Sequence, residues 1–148
     1  MKIVIGSDHR GFAHKEFIKH HPALAGHVVE WIDVGAHSDA RSDFPEFAMK
    51  LCQTMRQKKA ERGILICGSG IGMAIAVNRF KGIYAGVVWG DDVARFAAEH
   101  DKVNVLVIPS DFVTKEKSVS MITIWLSTKF LGGRYQERIT EIDSLGGL

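Results

Sequence analysis

The stretch of the chain best suited to chemistry runs from Cys67 to Gly72 and reads Cys-Gly-Ser-Gly-Ile-Gly. An apolar run precedes it and a helical pattern follows it, so we expect the thiol at a strand end, just before a helix. Backbone N–H groups at the start of a helix lack partners and favour an anion. They also lower the pKa of a nearby thiol. The pattern predicts a thiolate beside a site for a phosphate or an oxyanion, with Ser69 able to donate a hydrogen bond to the sulfur or to a substrate oxygen.

A second interpretation of this stretch is a buried free cysteine followed by a tight turn, because free cysteine is among the most buried residue types. Spacing alone favours neither interpretation. No Gly-Lys-Ser/Thr follows, so the stretch is not a Walker loop, and GxGxG is not the dinucleotide fingerprint. The other cysteine, Cys52, lies on an apolar helical stripe and is predicted to pack in the core. Two cysteines so placed indicate a reduced, cytoplasmic protein without a disulfide framework.

Two further groups of polar residues are candidates. Asp8 and His9 follow the first apolar run, where they could orient hydroxyl groups or move protons. The alternative is that Asp8 caps the helix that begins near Gly11, since Asp is a favoured N-cap residue. His100 ends a predicted helix on its apolar face, where an imidazole is either a core side chain or a proton carrier.

Arg134 and Arg138 share one predicted helical face, so both guanidinium groups can converge on a single phosphate. The alternative is a solvated, ion-paired surface, because Glu137 and Glu141 each follow one of the arginines by three residues. The histidines show no metal-ligand spacing with a carboxylate or a thiol. We therefore predict no metal and no other cofactor.

Length and composition exclude several classes. The 148 residues carry a net charge of +2 and fit one domain, 1–148, with no basic patch for nucleic acid. No apolar run approaches the ~20 residues of a membrane-spanning helix. The run Ile3–Ile5 is cut at once by polar residues, which is unlike a signal peptide. We expect a cytoplasmic protein that binds neither membranes nor nucleic acid.

The elements that must position these groups alternate along the chain. Strands are predicted at 3–5, 28–34, 64–67, 83–89 and 103–108, and helices at 11–20, 44–58, 71–79, 91–100, 115–130 and about 133–145. Strands that are apolar on both faces and separated by helices indicate a parallel sheet covered on both sides. We predict an α/β fold of the Rossmann-like type, a three-layer α/β/α sandwich around a five-stranded parallel sheet. The pattern does not determine the strand order.

The same patterns assign helix faces and place the site. The first helix is expected to expose His14, Lys15 and Lys19. The helix at 91–100 is predicted to be capped by Asp91 and to have an apolar face made of Val93, Phe96, Ala97 and His100. Ligands of parallel sheets bind where the strands end. Polar and glycine clusters are expected there, at 7–9, 67–72, 90–92 and 109–111.

Five ordered blocks of the chain together resemble the ribose-5-phosphate isomerase type B and galactose-6-phosphate isomerase family. The blocks are 6–12, 41–45, 63–72, His100 with 104–106, and 132–134 with Arg138. The resemblance extends from Met1 to about Ile142, and blocks in this order are more specific than any single motif.

The resemblance implies a metal-independent aldose–ketose isomerase. It would interconvert ribose 5-phosphate and ribulose 5-phosphate through an enediolate, in the non-oxidative branch of the pentose phosphate pathway. Cys67 is implied as the base that moves a proton between C1 and C2, with Ser69 assisting and His100 opening the furanose ring. Substrate-binding roles are implied for Asp8, His9, Gly68, Gly70, Ile71, Gly72, Asp101, Arg134 and Arg138.

The resemblance also implies an assembly. It predicts a homodimer or a dimer of dimers with the active site between subunits, where His100 and the arginines reach in from the partner. The C-terminal helix, about 133–145, is expected to pack on the partner subunit.

Three positions differ from the family pattern. Asp101 stands where Asn is usual, Asp111 where Arg is frequent, and Tyr135 where His is common. The two carboxylates would weaken phosphate binding unless Lys102 or another cation offsets them. We expect the reaction to be retained and the phosphate affinity or the favoured sugar to be altered.

Other functions remain open. The same chemistry on allose 6-phosphate or galactose 6-phosphate is one, although the galactose enzymes divide the catalytic elements between two chains. Here Cys67, His100 and both arginines share one chain, which favours the five-carbon substrate. A non-catalytic nucleotide- or flavin-binding module would give Cys67 no role. A thiol redox protein would need a second cysteine at CxxC spacing, which Cys67 lacks.

Overall fold

The computed structural model describes residues 1–145 and contains one five-stranded sheet in that range. Its strands are β1 (Lys2–Ser7), β2 (Glu30–Asp33), β3 (Arg62–Cys67), β4 (Ala85–Val87) and β5 (Val105–Pro109). All neighbouring strands are parallel and their order is β2-β1-β3-β5-β4. The predicted five-stranded parallel sheet is confirmed. Residues 146–148 of the predicted domain lie outside the described part of the chain.

Helices cover both faces of the sheet. They are α1 (Phe12–His20), α2 (Phe44–Arg56), α3 (Ile71–Val77), α4 (Asp91–Glu99), α5 (Lys115–Ser127) and α6 (Arg134–Ser144), with a short 3-10 helix at Pro22–Leu24. Successive side chains of a strand point to opposite faces. Ile3 and Ile5 of β1 therefore pack with α1, α4 and α5, whereas Val4 packs with α2 and α3. The three-layer sandwich is confirmed, and α6 lies largely outside it, with Ile139 its only buried residue.

The first helix differs from the prediction at one lysine. Lys15 was expected to be exposed, but its side chain is fully buried. Its Nζ donates to both carboxylate oxygens of Asp33, at 2.8 and 2.7 Å, and Lys19 donates to the same carboxylate at 2.6 Å. Burial raises the pKa of Asp33, but hydrogen bonds from Lys15 and Lys19 outweigh it, so the pKa lies below its ordinary value. The expectation failed because the charge of Lys15 is compensated inside the fold by a residue at the end of β2.

The fourth helix also differs from the prediction. Its buried residues are the small ones, Ala94, Ala97 and Ala98, whereas Phe96 is 41% exposed. Alanines let the helix approach the sheet and α5 closely, and this arrangement turns Phe96 outward. The N-cap residue is Gly90, not Asp91. The Asp91 carboxylate instead accepts hydrogen bonds from Lys117 and Ser120 of α5.

The parallel topology gives the sheet two distinct edges. We call the end where the strands finish, at Ser7, Asp33, Cys67, Val87 and Pro109, the carboxyl edge. The end where they begin, at Lys2, Glu30, Arg62, Ala85 and Val105, is the amino edge. Each helix that connects two parallel strands runs back from the carboxyl edge to the amino edge. No helix within residues 1–145 is long and apolar enough to cross a membrane.

Candidate active site

The carboxyl edge holds the thiol that the sequence singled out. Cys67 is the last residue of β3 and is 5% exposed. Gly70 follows with a φ of 77°, a left-handed conformation that glycine adopts without steric cost. After this turn, the backbone N–H groups of Met73, Gly70 and Ser69 are near enough to the sulfur to lower its pKa. N–H donors near a thiol favour the thiolate, and the same donors can stabilise a neighbouring oxyanion.

The net effect on the Cys67 thiol is opposite to the prediction. Burial raises its pKa and the nearby Asp8 carboxylate raises it further, while the three N–H groups lower it by less. The N–H groups at the helix start thus lower this pKa as expected, but burial and the Asp8 carboxylate outweigh them, so the pKa lies above its ordinary value. The thiol is protonated at neutral pH, and removing its proton leaves a stronger base than an ordinary thiolate. Cys52, by contrast, is fully buried in the core, where burial raises its pKa to about 11.

The space above two glycines of the turn is occupied by the protein itself. A Cβ at Gly68 would collide with the guanidinium group of Arg10, and one at Gly72 would lie 2.6 Å from the Phe44 ring. The absence of a side chain at Gly68 and Gly72 therefore lets Arg10 and Phe44 pack directly against the turn. Arg10 and Phe44 both belong to the resembling blocks 6–12 and 41–45, but sequence reasoning gave neither a role.

Asp8 and His9 lie at the same edge, each held in one orientation. One oxygen of the buried Asp8 carboxylate accepts from the N–H groups of Arg10 and Gly11, both at 3.0 Å. Asp8 therefore shapes the turn that leads into α1, although the N-cap residue of this helix is Gly11 and no side chain caps it. The Nδ1 atom of His9 lies 3.2 Å from both the N and the O atoms of Ser42, and the His9 N–H donates to the Ser42 hydroxyl at 3.0 Å. Ser42, which the sequence did not single out, fixes the His9 imidazole.

Ser69 is exposed beside the thiol. Its hydroxyl oxygen accepts a hydrogen bond from the Ile71 N–H at 3.3 Å, so it supports the start of α3. This contact uses a lone pair of the hydroxyl and leaves its hydrogen available to donate.

The carboxylate of Asp111 is neutralised by a cation that the sequence analysis did not identify. Arg10 forms a salt bridge with Asp111 across the carboxyl edge. The Asp111 N–H also donates to the Gly68 carbonyl at 3.1 Å, which brings this pair to the turn after Cys67. Lys102, the cation suggested by the sequence, instead donates to Gln136 at 3.1 Å. The guanidinium group of Arg10 thus lies beside position 111, where the family pattern frequently has an arginine. Arg10 reaches this place from the segment that follows β1.

The remaining predicted residues lie together at the amino edge. His100 follows α4 directly, and its ring stacks with those of Phe96 and Tyr135, at centroid distances of 4.9 and 4.4 Å. The guanidinium carbons of Arg134 and Arg138 lie 5.0 and 5.6 Å from the centroid of the Tyr135 ring. The structure therefore brings His100 and the two arginines together, but on the opposite edge of the sheet from Cys67.

Asp101 also lies at the amino edge. It lines a cavity of about 640 Å³ between α6 and the segment that leads into β4, together with Arg79, Tyr84, Ile139 and Asp143. A hydrogen bond of 2.7 Å from the Tyr84 hydroxyl to Asp143 closes one side of this cavity. Within residues 1–145, three or more His, Cys, Asp or Glu side chains nowhere gather in a group that could hold a metal ion.

The doubly covered parallel sheet, with a buried thiol where its central strand ends, defines an α/β protein whose carboxyl edge is the expected ligand site. The sequence profile of the family described as Ribose/Galactose Isomerase matches residues 3–142, and the chain belongs to that family.

Curated relatives and solved structures agree with this assignment. The chain is 37% identical over 144 residues to the ribose-5-phosphate isomerase B of Escherichia coli strain K12, with 97% of this chain and 95% of the relative covered. A ribose 5-phosphate isomerase structure from Thermotoga maritima has a TM-score of 0.91 and 40% identity, with 97% of each chain covered. The ribose-5-phosphate isomerase B of Mycoplasma genitalium with bound ribulose 5-phosphate has a TM-score of 0.88 and 35% identity, covering 97% of this chain and 95% of that one.

Proposed function

We propose that the protein is an aldose–ketose isomerase that interconverts ribose 5-phosphate and ribulose 5-phosphate. The observation that carries the proposal is the Cys67 thiol, held among backbone N–H groups at the carboxyl edge. Relatives of similar length named ribose-5-phosphate isomerase B, and the related structure with bound ribulose 5-phosphate, support this choice of substrate. The reaction belongs to the non-oxidative branch of the pentose phosphate pathway. The cytoplasmic location stays a prediction.

The chemistry needs one base that serves two carbons. The Cys67 thiolate takes the proton from C2 of the open-chain aldose, the C2–H electron pair forms a C1–C2 double bond, and O1 becomes negative. Return of the proton to C1, with transfer of the O2 proton to O1 through the enediolate, gives the ketose, so no atom is gained or lost. Backbone N–H groups at the turn stabilise the negative oxygen, and the Ser69 hydroxyl assists the base.

The other predicted residues hold the substrate. Asp8 and His9, fixed by their backbone contacts, hold sugar hydroxyl groups near Cys67. Arg134 and Arg138 bind the phosphate, whose remote binding energy orients the reacting carbons. His100 transfers the protons that open the furanose ring.

A second copy of the chain completes each site. Strand β5 has five residues, which span about 16 Å, so Cys67 and His100 of one chain cannot reach the same sugar. In a homodimer, the amino edge of one chain faces the carboxyl edge of its partner. Two exposed residues of α3 next to the thiol site, Ile71 and Ile75, are 60% and 63% exposed and offer an apolar surface for this contact. The C-terminal helix α6, largely exposed in one chain, packs on the partner.

The test compares two thiol deletions. Conversion of ribose 5-phosphate is measured with EDTA present for the wild type, Cys67→Ala and Cys52→Ala. We expect Cys67→Ala to reduce kcat by about 10³-fold, because general bases contribute about 10²- to 10⁴-fold. Cys52→Ala removes the other buried thiol and is the matched control, expected to keep kcat within about twofold, since Cys52 packs in the core away from the site.

Other outcomes would change the proposal. Full activity of Cys67→Ala would show that another residue is the base. A wild type with a higher kcat/KM for allose 6-phosphate than for ribose 5-phosphate would favour the six-carbon alternative. No turnover of either substrate would contradict the assignment as an isomerase of these sugars.

A further inference from the structure

Tyr135 is the only described residue that contacts the predicted proton carrier and both predicted phosphate ligands through its ring. Its ring lies parallel to the His100 imidazole, with 4.4 Å between centroids and 7° between planes. The guanidinium carbons of Arg134 and Arg138 lie 5.0 and 5.6 Å from its centroid. Its hydroxyl accepts a hydrogen bond from Arg134 at 3.1 Å. One aromatic side chain thus joins groups that the proposed reaction uses for two different tasks.

Stacking is what orients His100. Among residues 1–145, no hydrogen bond to either ring nitrogen of His100 is formed, and its nearest acidic atom is Glu99 Oε2, 3.8 Å from Nε2. Phe96 also stacks with the imidazole, with 4.9 Å between centroids and 15° between planes. The two aromatic rings therefore fix the plane of the imidazole and leave its nitrogen atoms, at the ring edge, free for proton transfer.

The arginines depend on the same ring. Arg134 and Arg138 are exposed, and long exposed side chains sample many rotamers. Cation–π contact with Tyr135 and the hydrogen bond from Arg134 restrict them next to His100. Fewer rotamers are then lost when a phosphate binds, which favours affinity.

We infer that Tyr135 is a positioning residue that holds His100 and the arginine pair as one unit, so that phosphate binding aligns the imidazole with the sugar ring. The inference rests on the proposed function. Ring opening breaks the C1–O4 bond of the furanose, adds a proton to O4 and removes the proton from O1, with no net change in atoms. O4 and the phosphate belong to the same short segment of the sugar, so a fixed spacing between imidazole and arginines aligns both at once.

A double-mutant cycle tests whether Tyr135 acts through His100. Ribose 5-phosphate kinetics are measured for Tyr135→Leu, His100→Asn and the double variant. We expect Tyr135→Leu to lower kcat about tenfold, because it removes the stack that orients the base. His100→Asn should lower it about 10²-fold, and the double variant should fall no more than about twofold below His100→Asn. A merely structural role for Tyr135 would give additive losses.

Two further variants separate orientation from folding. Tyr135→Phe keeps the ring and loses only the hydroxyl, so we expect kcat within about twofold of the wild type and a KM about fivefold higher, since Arg134 loses its acceptor. Phe96→Leu removes the second ring that stacks with His100 and should reproduce the kcat loss of Tyr135→Leu. Equal activity of Tyr135→Leu and wild type, or additive losses in the cycle, would overturn the inference. Full activity of His100→Asn would instead overturn the role that the proposed function gives to His100.

Discussion

The two edges of the sheet are held together in different ways. At the carboxyl edge, Cys67 and Asp8 are buried, their neighbours are mainly backbone groups, and the buried Lys15 is paired with the partly buried Asp33. At the amino edge, the His100 side chain is partly exposed and is oriented by aromatic rings, one of which belongs to the mostly exposed α6. The groups of the carboxyl edge are fixed by contacts within one chain. The side chains of the amino edge are partly exposed and contact one another at the surface of the chain.

This difference indicates which steps each region can perform. Backbone donors change little when a substrate binds, so they suit a charge that develops at a fixed place, such as an enediolate oxygen. Stacked side chains can adjust together, which suits a mobile phosphate and a ring that must open. Under the proposed function, the carboxyl edge of one chain and the amino edge of its partner form one active site across the dimer interface.

The largest expected effect is recovery of activity in mixed dimers. Cys67→Ala and His100→Asn are each nearly inactive under the proposed function, but a dimer containing one of each has one intact site. Refolding the two variants together in equal amounts should give about one quarter of wild-type activity, since about half of the dimers are mixed and each has one of two sites intact. The measurement is kcat per chain after co-refolding.

The matched control for this experiment mixes Cys67→Ala with Cys67→Ser. Both variants lack the thiol, so no dimer of this mixture has an intact site. Recovery of activity in the control would contradict a site shared between the two edges. The same conclusion would follow if mixed dimers are demonstrated in the first mixture but its activity does not recover.

The next effect concerns the carboxyl edge alone. Burial raises the pKa of the Cys67 thiol, so the thiolate fraction in the free enzyme increases with pH through the neutral and mildly alkaline range. We expect kcat/KM to rise with pH from about pH 7.5 to about pH 9, because the thiolate fraction of the free enzyme grows across this range when the thiol pKa is raised. A plateau already reached near neutral pH would contradict a raised pKa of the Cys67 thiol in the free enzyme. The residual activity of Cys67→Ala should lack the slope.

The smallest effect concerns the salt bridge between Arg10 and Asp111. If Arg10 faces the substrate phosphate, Arg10→Ala should raise KM for ribose 5-phosphate about tenfold, as for loss of a charge-assisted hydrogen bond. Asp111→Asn removes the competing carboxylate and should lower KM by at most about threefold. An unchanged KM in both variants would show that this pair does not contact the phosphate.

A second ion pair provides the control for these charge changes. Lys50 and Glu46 form an exposed pair on α2, with 2.5 Å between Nζ and Oε1, remote from either edge cluster. Lys50→Ala removes the same charge as Arg10→Ala and should leave KM unchanged within about twofold, because exposed pairs contribute little.

Much of this architecture could be predicted from the sequence, because strand and helix periods are local properties. The apolar runs of β3 and β5 and the stripe of α2 predicted the parallel sheet and its layers. The failures involve partners distant in the chain. Lys15 is charged, and only its contact with Asp33 explains its burial. The helix start at Gly70 was predicted to lower the pKa of Cys67, but the depth of burial that raises it depends on the packed fold. Arg10 and Asp111, which form a salt bridge, are about 100 residues apart in the chain. No local sequence pattern predicts a contact at that separation.

The placement of Cys67 and His100 on opposite edges has a consequence for the evolution of this gene. If each site takes its base from one copy and its imidazole from the other, a duplicated gene can lose Cys67 in one copy and His100 in the other. The mixed dimer keeps one working site, so selection would then preserve both genes together. A heteromeric enzyme can arise from this fold by two losses, without the gain of a new residue.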